Sequence, residues 1–196
     1  MQEALHEGLK CLSAGKLTEA SEACRKVLEA KPDLAEGHFL VGLIALEMKS
    51  SATATQAFGS VTKIDPTHGA AWAQLGRIFA LAGQPSRADA ALEQAIRYED
   101  DNPIIHDLIG MVCAQLGEQQ EALSWYTKAV SAAPNNLMFR VNRANCNLFL
   151  GKLDEAEEEL REVLAKQPGN PNAHWILAGL RNCLLYTSPS PRDYSC

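Results

Sequence analysis

Small and apolar residues recur along this chain with a period of 34 residues. Blocks 1–34, 35–68, 69–102, 103–136 and 137–170 align without insertion or deletion, and a sixth block begins at Pro171. The twentieth position is always alanine: Ala20, Ala54, Ala88, Ala122 and Ala156. Self-similarity at a period of this length predicts stacked copies of one supersecondary unit.

The apolar positions within a block fit the face of a helix. The eighth position is always small: Gly8, Gly42, Gly76, Gly110, Ala144 and Ala178. Bulky residues dominate the twenty-fourth position and valine or alanine fills the twenty-seventh: Cys24, Phe58, Leu92, Tyr126 and Leu160, then Val27, Val61, Ala95, Ala129 and Val163. Spacings of three and four residues place these side chains on one helical stripe. The small residues predict sites where two helices cross closely.

Turn residues divide every block into two helices. Glycine stands near the middle of four blocks and proline near the end of four: Gly15, Gly83, Gly117 and Gly151, then Pro32, Pro66, Pro134 and Pro168. Glycine ends helices in a left-handed conformation, and proline cannot continue one. Block two has Lys49 instead of glycine, and block three has Asp100 instead of proline, but we expect both turns to survive. The predicted fold class is all-α.

The pattern resembles the tetratricopeptide repeat. Block three is the clearest copy, with Trp72-x-x-Leu75-Gly76-x-x-Phe79 followed by Gly83, Ala88, Leu92 and Ala95. The resemblance extends from Met1 to about Asn182. It implies a right-handed α-solenoid of five complete repeats and the first helix of a sixth, residues 171–182. Function is then expected on the inner, concave face, which the first helices line.

Residues 183–196 fall outside the repeat register, and we expect an unstructured tail there. The segment Cys183–Asp193 resembles a translated sequencing adapter, so an artefact is the favoured interpretation. The alternative is a linker whose Ser188-Pro189 and Ser190-Pro191 pairs are phosphorylation sites. In the artefact interpretation, the last helix lacks its hairpin partner. Trp175, Ile176 and Leu180 would then be uncovered, which predicts a frayed or self-associating C-terminal end.

Composition narrows the function. A net charge of −6 and an isoelectric point near 5.4 argue against a nucleic acid or an anionic membrane as partner. The N-terminus lacks a signal-peptide pattern, and a cytoplasmic location is expected. The six cysteines are scattered without a CxxC pair, so most should be buried apolar residues. We expect no catalytic residue, metal or cofactor; His38, His106 and His174 should pack at interfaces, and the acidic run Asp154–Glu159 should be a solvated helix start.

The inner face is the expected binding surface, for a protein or peptide of unknown identity. It lacks the lysine and asparagine set with which related arrays clamp a chaperone's C-terminal carboxylate, so an amphipathic helix or an apolar extended segment is expected. The face is lined by the second, fifth, sixth and ninth positions of each first helix, which include Ile104 and Met138. The predicted contact residues are Phe39, Leu40, Leu43, Gln74, Arg77, Asp107, Leu108, Met111, Val141, Asn142, Asn145 and Trp175.

An alternative function comes from a second resemblance. Three segments are similar to the repeat region that precedes the catalytic domain in bacterial sulfotransferases: Ala35–Leu46, His106–Val130 and Asn172–Asn182. The chain would then be the N-terminal arm of an enzyme whose sulfotransferase domain lies outside this sequence. No catalytic residue is carried over by this resemblance.

Overall fold

The computed structural model describes residues 2–187, with side chains from Glu3 to Leu180. It contains helices only in this part of the chain, which confirms the all-α helical-repeat fold class. The first helices of the hairpins are α1 (Gln2–Ser13), α3 (Ala35–Glu47), α5 (Gly69–Leu81), α7 (Pro103–Leu116), α9 (Leu137–Phe149) and α11 (Pro171–Thr187). The second helices are α2 (Leu17–Ala30), α4 (Ser51–Ile64), α6 (Pro85–Arg97), α8 (Gln119–Ala132) and α10 (Leu153–Lys166). None of these helices is long and apolar enough to cross a membrane.

The helices form two compact units. The first contains α1–α6 and ends at Asp100, and the second begins at Asp101 and contains α7–α11. In both units a first helix packs on the second helix of its own hairpin and on the second helix of the preceding hairpin in that unit. This stacking buries the stripe that the sequence predicts: all five alanines at the twentieth position are inaccessible to solvent.

The turns adopt the conformations that their residues predict. Gly15, Gly83, Gly117 and Gly151 all have positive φ angles, between 67° and 90°. Lys49 takes the same left-handed conformation, with φ of 58°, so the turn of block two survives without glycine. The turn before α7 also survives, because the Asn102 side chain accepts a hydrogen bond from the backbone N–H of Ile104 at 3.0 Å.

The side chain at the fourth position of a block lies in the first helix and forms a hydrogen bond to the turn that precedes this helix. The Trp72 indole N–H donates to the Pro66 carbonyl at 2.9 Å. His38 and His174 reach the carbonyls of Pro32 and Pro168 through Nε2, at 2.7 Å each. Because a carbonyl only accepts, Nε2 carries the proton in both histidines. Histidine therefore replaces tryptophan here as a hydrogen-bond donor.

Helix α11 continues to Thr187, five residues beyond the expected boundary at Asn182. The segment from Cys183 to Thr187 contains neither glycine nor proline, so no residue in it opposes helix. This differs from the prediction of an unstructured tail from residue 183, and residues 188–196 lie outside the described part. Ile176 and Leu180 are buried in the structure. The expectation that they are uncovered is therefore wrong, and only Trp175 is exposed.

Gly42 provides a test of the close crossing in block two. A Cβ atom at this position would lie 2.5 Å from the Phe58 ring. We expect Gly42→Ala to lower the free energy of unfolding by about 1–3 kcal/mol through overpacking, measured by urea denaturation. Phe58→Leu in the same chain should recover part of that loss, because block five buries Ala144 with Leu160 in one cluster.

The matched control for Gly42 is Gly59, which also lies within a helix. Outside its chain neighbours and the backbone of its own helix, no atom lies within 4 Å of the place that an added methyl group would occupy. Gly59→Ala should stabilise the chain by about 0.5–1 kcal/mol, because glycine weakens a helix interior. Equal effects of Gly42→Ala and Gly59→Ala would contradict a steric requirement at the eighth position.

Candidate functional site

In the first unit, the predicted contact residues form a partly apolar face on α3 and α5. Phe39 and Leu43 are half-buried, whereas Leu40 and Gln74 are buried and unavailable to a partner. The Phe39 ring packs on Phe58 and on the His68 imidazole, with ring centroids 5.4 Å and 4.7 Å away. This packing fixes the orientation of Phe39, which remains half-buried.

Arg77 places a cation on this face. Its Nε donates to the Gln74 side-chain oxygen at 3.2 Å. Partial burial lowers the pKa of the Arg77 guanidinium, and the Glu47 carboxylate opposes that shift. An arginine remains charged at neutral pH despite such a shift. The first unit therefore offers apolar side chains beside one half-buried positive charge.

In the second unit, two of the predicted polar anchors bind each other. The Asn142 amide donates to both Asp107 carboxylate oxygens, at 2.9 and 3.1 Å, and joins α7 to α9. Asp107 is only 2% exposed. Burial raises the pKa of the Asp107 carboxyl to about 6, and the bond from Asn142 partly counters this. Asp107 is thus a structural residue of the face and not an accessible anchor.

The accessible part of the second unit's face is apolar and carries amides. Leu108 and Val141 are buried, but Met111, Asn142 and Asn145 are half-exposed. Two second-position residues are far more open: Ile104 and Met138 are each 59% exposed. We call Ile104, Met111, Met138, Asn142 and Asn145 the α7/α9 face. Trp175 on α11 is the remaining predicted residue and is 77% exposed.

A buried ionic cluster in the second unit was missed by the sequence interpretation. Glu159, expected at a solvated helix start, is 6% exposed. Its carboxylate accepts from Arg140 Nε at 3.2 Å and from Arg143 Nε and Nη2 at 3.0 and 2.6 Å. Arg140 also pairs with Glu162. Asp154, Glu155 and Glu158 of the same run are exposed, as expected.

The repeat register contains a signal for this cluster. Arg140 and Arg143 occupy fourth and seventh positions, where blocks two to four have histidine or tryptophan and an aliphatic residue. Glu159 occupies a twenty-third position, which is alanine or tryptophan elsewhere. Three charged deviations at interior positions of one block, with opposite signs, predict that they compensate each other.

The cysteines and the one candidate metal cluster in the described residues lack features of a reactive site. Cys11, Cys24, Cys113 and Cys146 are free and buried, as predicted. Cys113 lies with Glu118 and Glu121 so that one ligand atom of each is within 4.8 Å of the others. Burial and these carboxylates raise the pKa of the Cys113 thiol to about 12. Because the thiolate is the reactive form, the Cys113 thiol is a weak nucleophile at neutral pH.

Comparisons with known proteins agree with the hairpin geometry. Two models of the tetratricopeptide repeat match residues 73–136 and 114–180, together more than half of the chain. Anaphase-promoting complex subunit 3 of Schizosaccharomyces pombe is 21% identical over 160 residues, which are 82% of this chain and 24% of that protein. The chain thus spans about a quarter of this curated relative.

Solved structures show the same fold. A thermophilic TPR protein of Thermus thermophilus superposes with a TM-score of 0.76 at 19% identity, over 91% of this chain and 97% of the other. YrrB, a TPR protein with an unusual peptide-binding site, superposes with a TM-score of 0.59 at 20% identity, over 88% of this chain and 89% of the other. At these identities the likeness concerns the fold.

Proposed function

Because this chain belongs to the tetratricopeptide repeat family, whose members are typically protein-interaction scaffolds, we propose that it is a non-catalytic scaffold that binds a peptide or helix on its first-helix faces. The observation that carries the proposal is the α7/α9 face. It exposes Ile104 and Met138 beside the amides of Asn142 and Asn145.

The chemistry of the α7/α9 face suits an apolar peptide segment. Exposed methionine and isoleucine bury apolar area on binding, and methionine adapts its shape to different partners. The Asn145 amide can both donate to and accept from a peptide backbone, whereas Asn142, whose amide nitrogen is bound to Asp107, offers its side-chain oxygen as an acceptor. Two similar proteins support the binding of a protein or peptide. One is a subunit of the anaphase-promoting complex, and the other, YrrB, has a peptide-binding site.

The face of the first unit favours a ligand with a different chemistry from that of the α7/α9 face. Phe39, Leu43 and Arg77 would accept an apolar residue next to a carboxylate. Since guanidinium groups pair with carboxylates in bidentate geometry, this face should prefer acidic ligands. Each unit thus offers a binding face of its own.

The α7/α9 face can be tested with peptides selected on the purified full chain from a random display library. Met138→Lys places a charge in the proposed interface, and we expect the affinity of the selected peptides to fall at least about tenfold, equivalent to roughly 1.4 kcal/mol. Fluorescence anisotropy measures the change. The matched control is Ala165→Lys on the exposed surface of α10, which should leave the affinity unchanged.

Two results would overturn the proposed face. Selected peptides could bind Met138→Lys and the parent chain equally well, which would place the interaction elsewhere. Alternatively, a library of high diversity could yield no peptide that binds. The sulfotransferase alternative remains a prediction; sequencing of the source DNA past the Asn182 codon tests whether a phosphate-binding loop follows.

A further inference from the structure

The accessible stripe of α9 extends beyond the α7/α9 face to the end of the helix. Met138, Asn142, Asn145 and Phe149 are spaced by four, three and four residues, which places them on one side of α9. Phe149 is 68% exposed, so the two asparagines lie between two accessible apolar side chains. The thirteenth position is also open in block three, where Leu81 is 64% exposed. A ligand that lies along α9 therefore meets an apolar contact at each end and amides between them.

The Asp107 carboxylate lies behind these amides and has no cationic partner among the described residues. It is 2% exposed and accepts both of its hydrogen bonds from the amide nitrogen of Asn142. The bond from Asn142 is the one interaction that favours the charged form of the carboxyl, and burial raises its pKa to about 6. Above pH 7 the carboxylate is nevertheless ionised. A buried charge with a neutral amide as its partner is poorly compensated, so a cation placed nearby would be favourable.

The hydrogen bond to Asp107 also decides which atom Asn142 presents to a ligand. Because the amide nitrogen faces the carboxylate, the side-chain oxygen Oδ1 of Asn142 is left as an acceptor, and no described residue donates to it. An ammonium or guanidinium group bound to this oxygen would lie roughly 6 Å from the carboxylate, since two hydrogen bonds in series separate them. Opposite charges at this distance attract each other strongly when one of them is buried.

The other charges of α7 and α9 do not oppose this preference. Asp107 is the single Asp, Glu, Lys or Arg in α7. The two cations of α9, Arg140 and Arg143, are both bound by Glu159 of α10. The α7/α9 face therefore has the negative charge of Asp107, whereas the face of the first unit has the positive charge of Arg77. The two faces should favour ligands of opposite charge.

We propose that the α7/α9 face and Phe149 together recognise an extended peptide segment in which a basic residue stands between two apolar residues, with the basic group donating to Asn142 Oδ1. This inference rests on the proposed function and specifies its ligand. Met138 and Phe149 are about 16 Å apart along α9, a length that roughly five steps of an extended peptide span. Asn142 is about 6 Å from Met138, or roughly two steps. The expected pattern is apolar-x-basic-x-x-apolar, in either chain direction.

Peptides selected on the purified full chain from a random display library test the charge of the ligand. We expect Lys or Arg between apolar residues in the peptides whose binding depends on Met138. Met138→Glu and Met138→Lys both remove the apolar side chain, but the glutamate variant should bind these peptides at least about tenfold more tightly than the lysine variant. Ala165→Glu and Ala165→Lys, on the exposed surface of α10, are the matched controls and should differ by less than about twofold, because salt screens distant exposed charges.

Asp107→Asn tests the carboxylate as a positioning residue. The asparagine keeps an oxygen that accepts from Asn142 and removes the charge, so the face keeps its shape. Fluorescence anisotropy at pH 7.5 should show that the affinity for the basic peptides falls about tenfold. Derivatives of these peptides with norleucine at the basic position should bind the parent chain and Asp107→Asn equally well, which a merely structural role of Asp107 would not produce.

Three results would overturn the inference and leave the proposed binding function of the face intact. The selected peptides could contain no basic residue, Met138→Glu and Met138→Lys could bind them equally weakly, or Asp107→Asn could bind the basic peptides as tightly as the parent chain. A library that yields no binding peptide would overturn both the inference and the proposed function.

Discussion

Replacement of Glu159 by alanine is expected to lower the free energy of unfolding of the second unit by about 3 kcal/mol. The substitution removes the acceptor of three hydrogen bonds from Arg140 and Arg143. Both arginines are largely buried, with side chains 13% and 24% exposed. Arg140 keeps its ion pair with Glu162, but the partly buried Arg143 loses its ion pair with Glu159. Breaking a buried ion pair in this way costs about 3–5 kcal/mol. Hydrogen exchange of the α9 and α10 amides gives the local unfolding free energy.

The repeat supplies a control for this substitution. Block three has tryptophan, leucine and alanine at the positions of Arg140, Arg143 and Glu159. The triple replacement by those residues should restore most of the lost stability, because an apolar set of suitable shape often replaces a buried ion pair without loss. Glu162→Ala, which removes a 54% exposed partner of Arg140, should have a small effect. If Glu159→Ala were as mild as Glu162→Ala, the ionic cluster would not stabilise the unit.

Replacement of Asp107 by asparagine is expected to stabilise the second unit at pH 7 by about 2–3 kcal/mol. Folding raises the pKa of this carboxyl from the ordinary 3.8 to about 6, chiefly by burial. The folded state therefore binds the proton more tightly than the unfolded state. The contribution of protonated Asp107 to the free energy of unfolding is complete below about pH 4 and is lost as the pH rises through 6. Since one pKa unit corresponds to about 1.4 kcal/mol, the loss approaches 3 kcal/mol.

Asparagine at position 107 stays neutral at every pH and keeps an oxygen that accepts from Asn142. Urea denaturation between pH 4 and 7 should therefore show the stability of Asp107→Asn rising relative to the parent chain. The neighbouring Tyr126 does not titrate in this range, because burial and Asp107 raise the pKa of its phenol. Removal of the amide donor by Asn142→Ala should destabilise the chain most at pH 7, where Asp107 is charged. Parallel pH profiles for Asp107→Asn and the parent would contradict this assignment.

Much of the candidate site could be predicted from the register, but accessibility could not. The first-helix positions identified Phe39, Leu43, Arg77, Met111 and Asn145 as lining residues, and these are partly exposed. Register gives the direction of a side chain relative to its helix axis. It does not give the depth to which a neighbouring helix covers that side chain. For this reason Leu40, Gln74, Asp107, Leu108 and Val141 were expected on the surface and are buried.

The sequence by itself determined the all-α class, the hairpin unit, its turns and the buried stripe. These features follow from local rules repeated at a fixed period: glycine and lysine turns at matching positions, and glycine or alanine where two helices cross closely. Only the tertiary structure decided which polar groups pair across helices. The bonds from Asn142 to Asp107 and from Arg143 to Glu159 join residues 35 and 16 positions apart. Their formation depends on the distance between neighbouring helices, which packing sets and local sequence patterns do not encode.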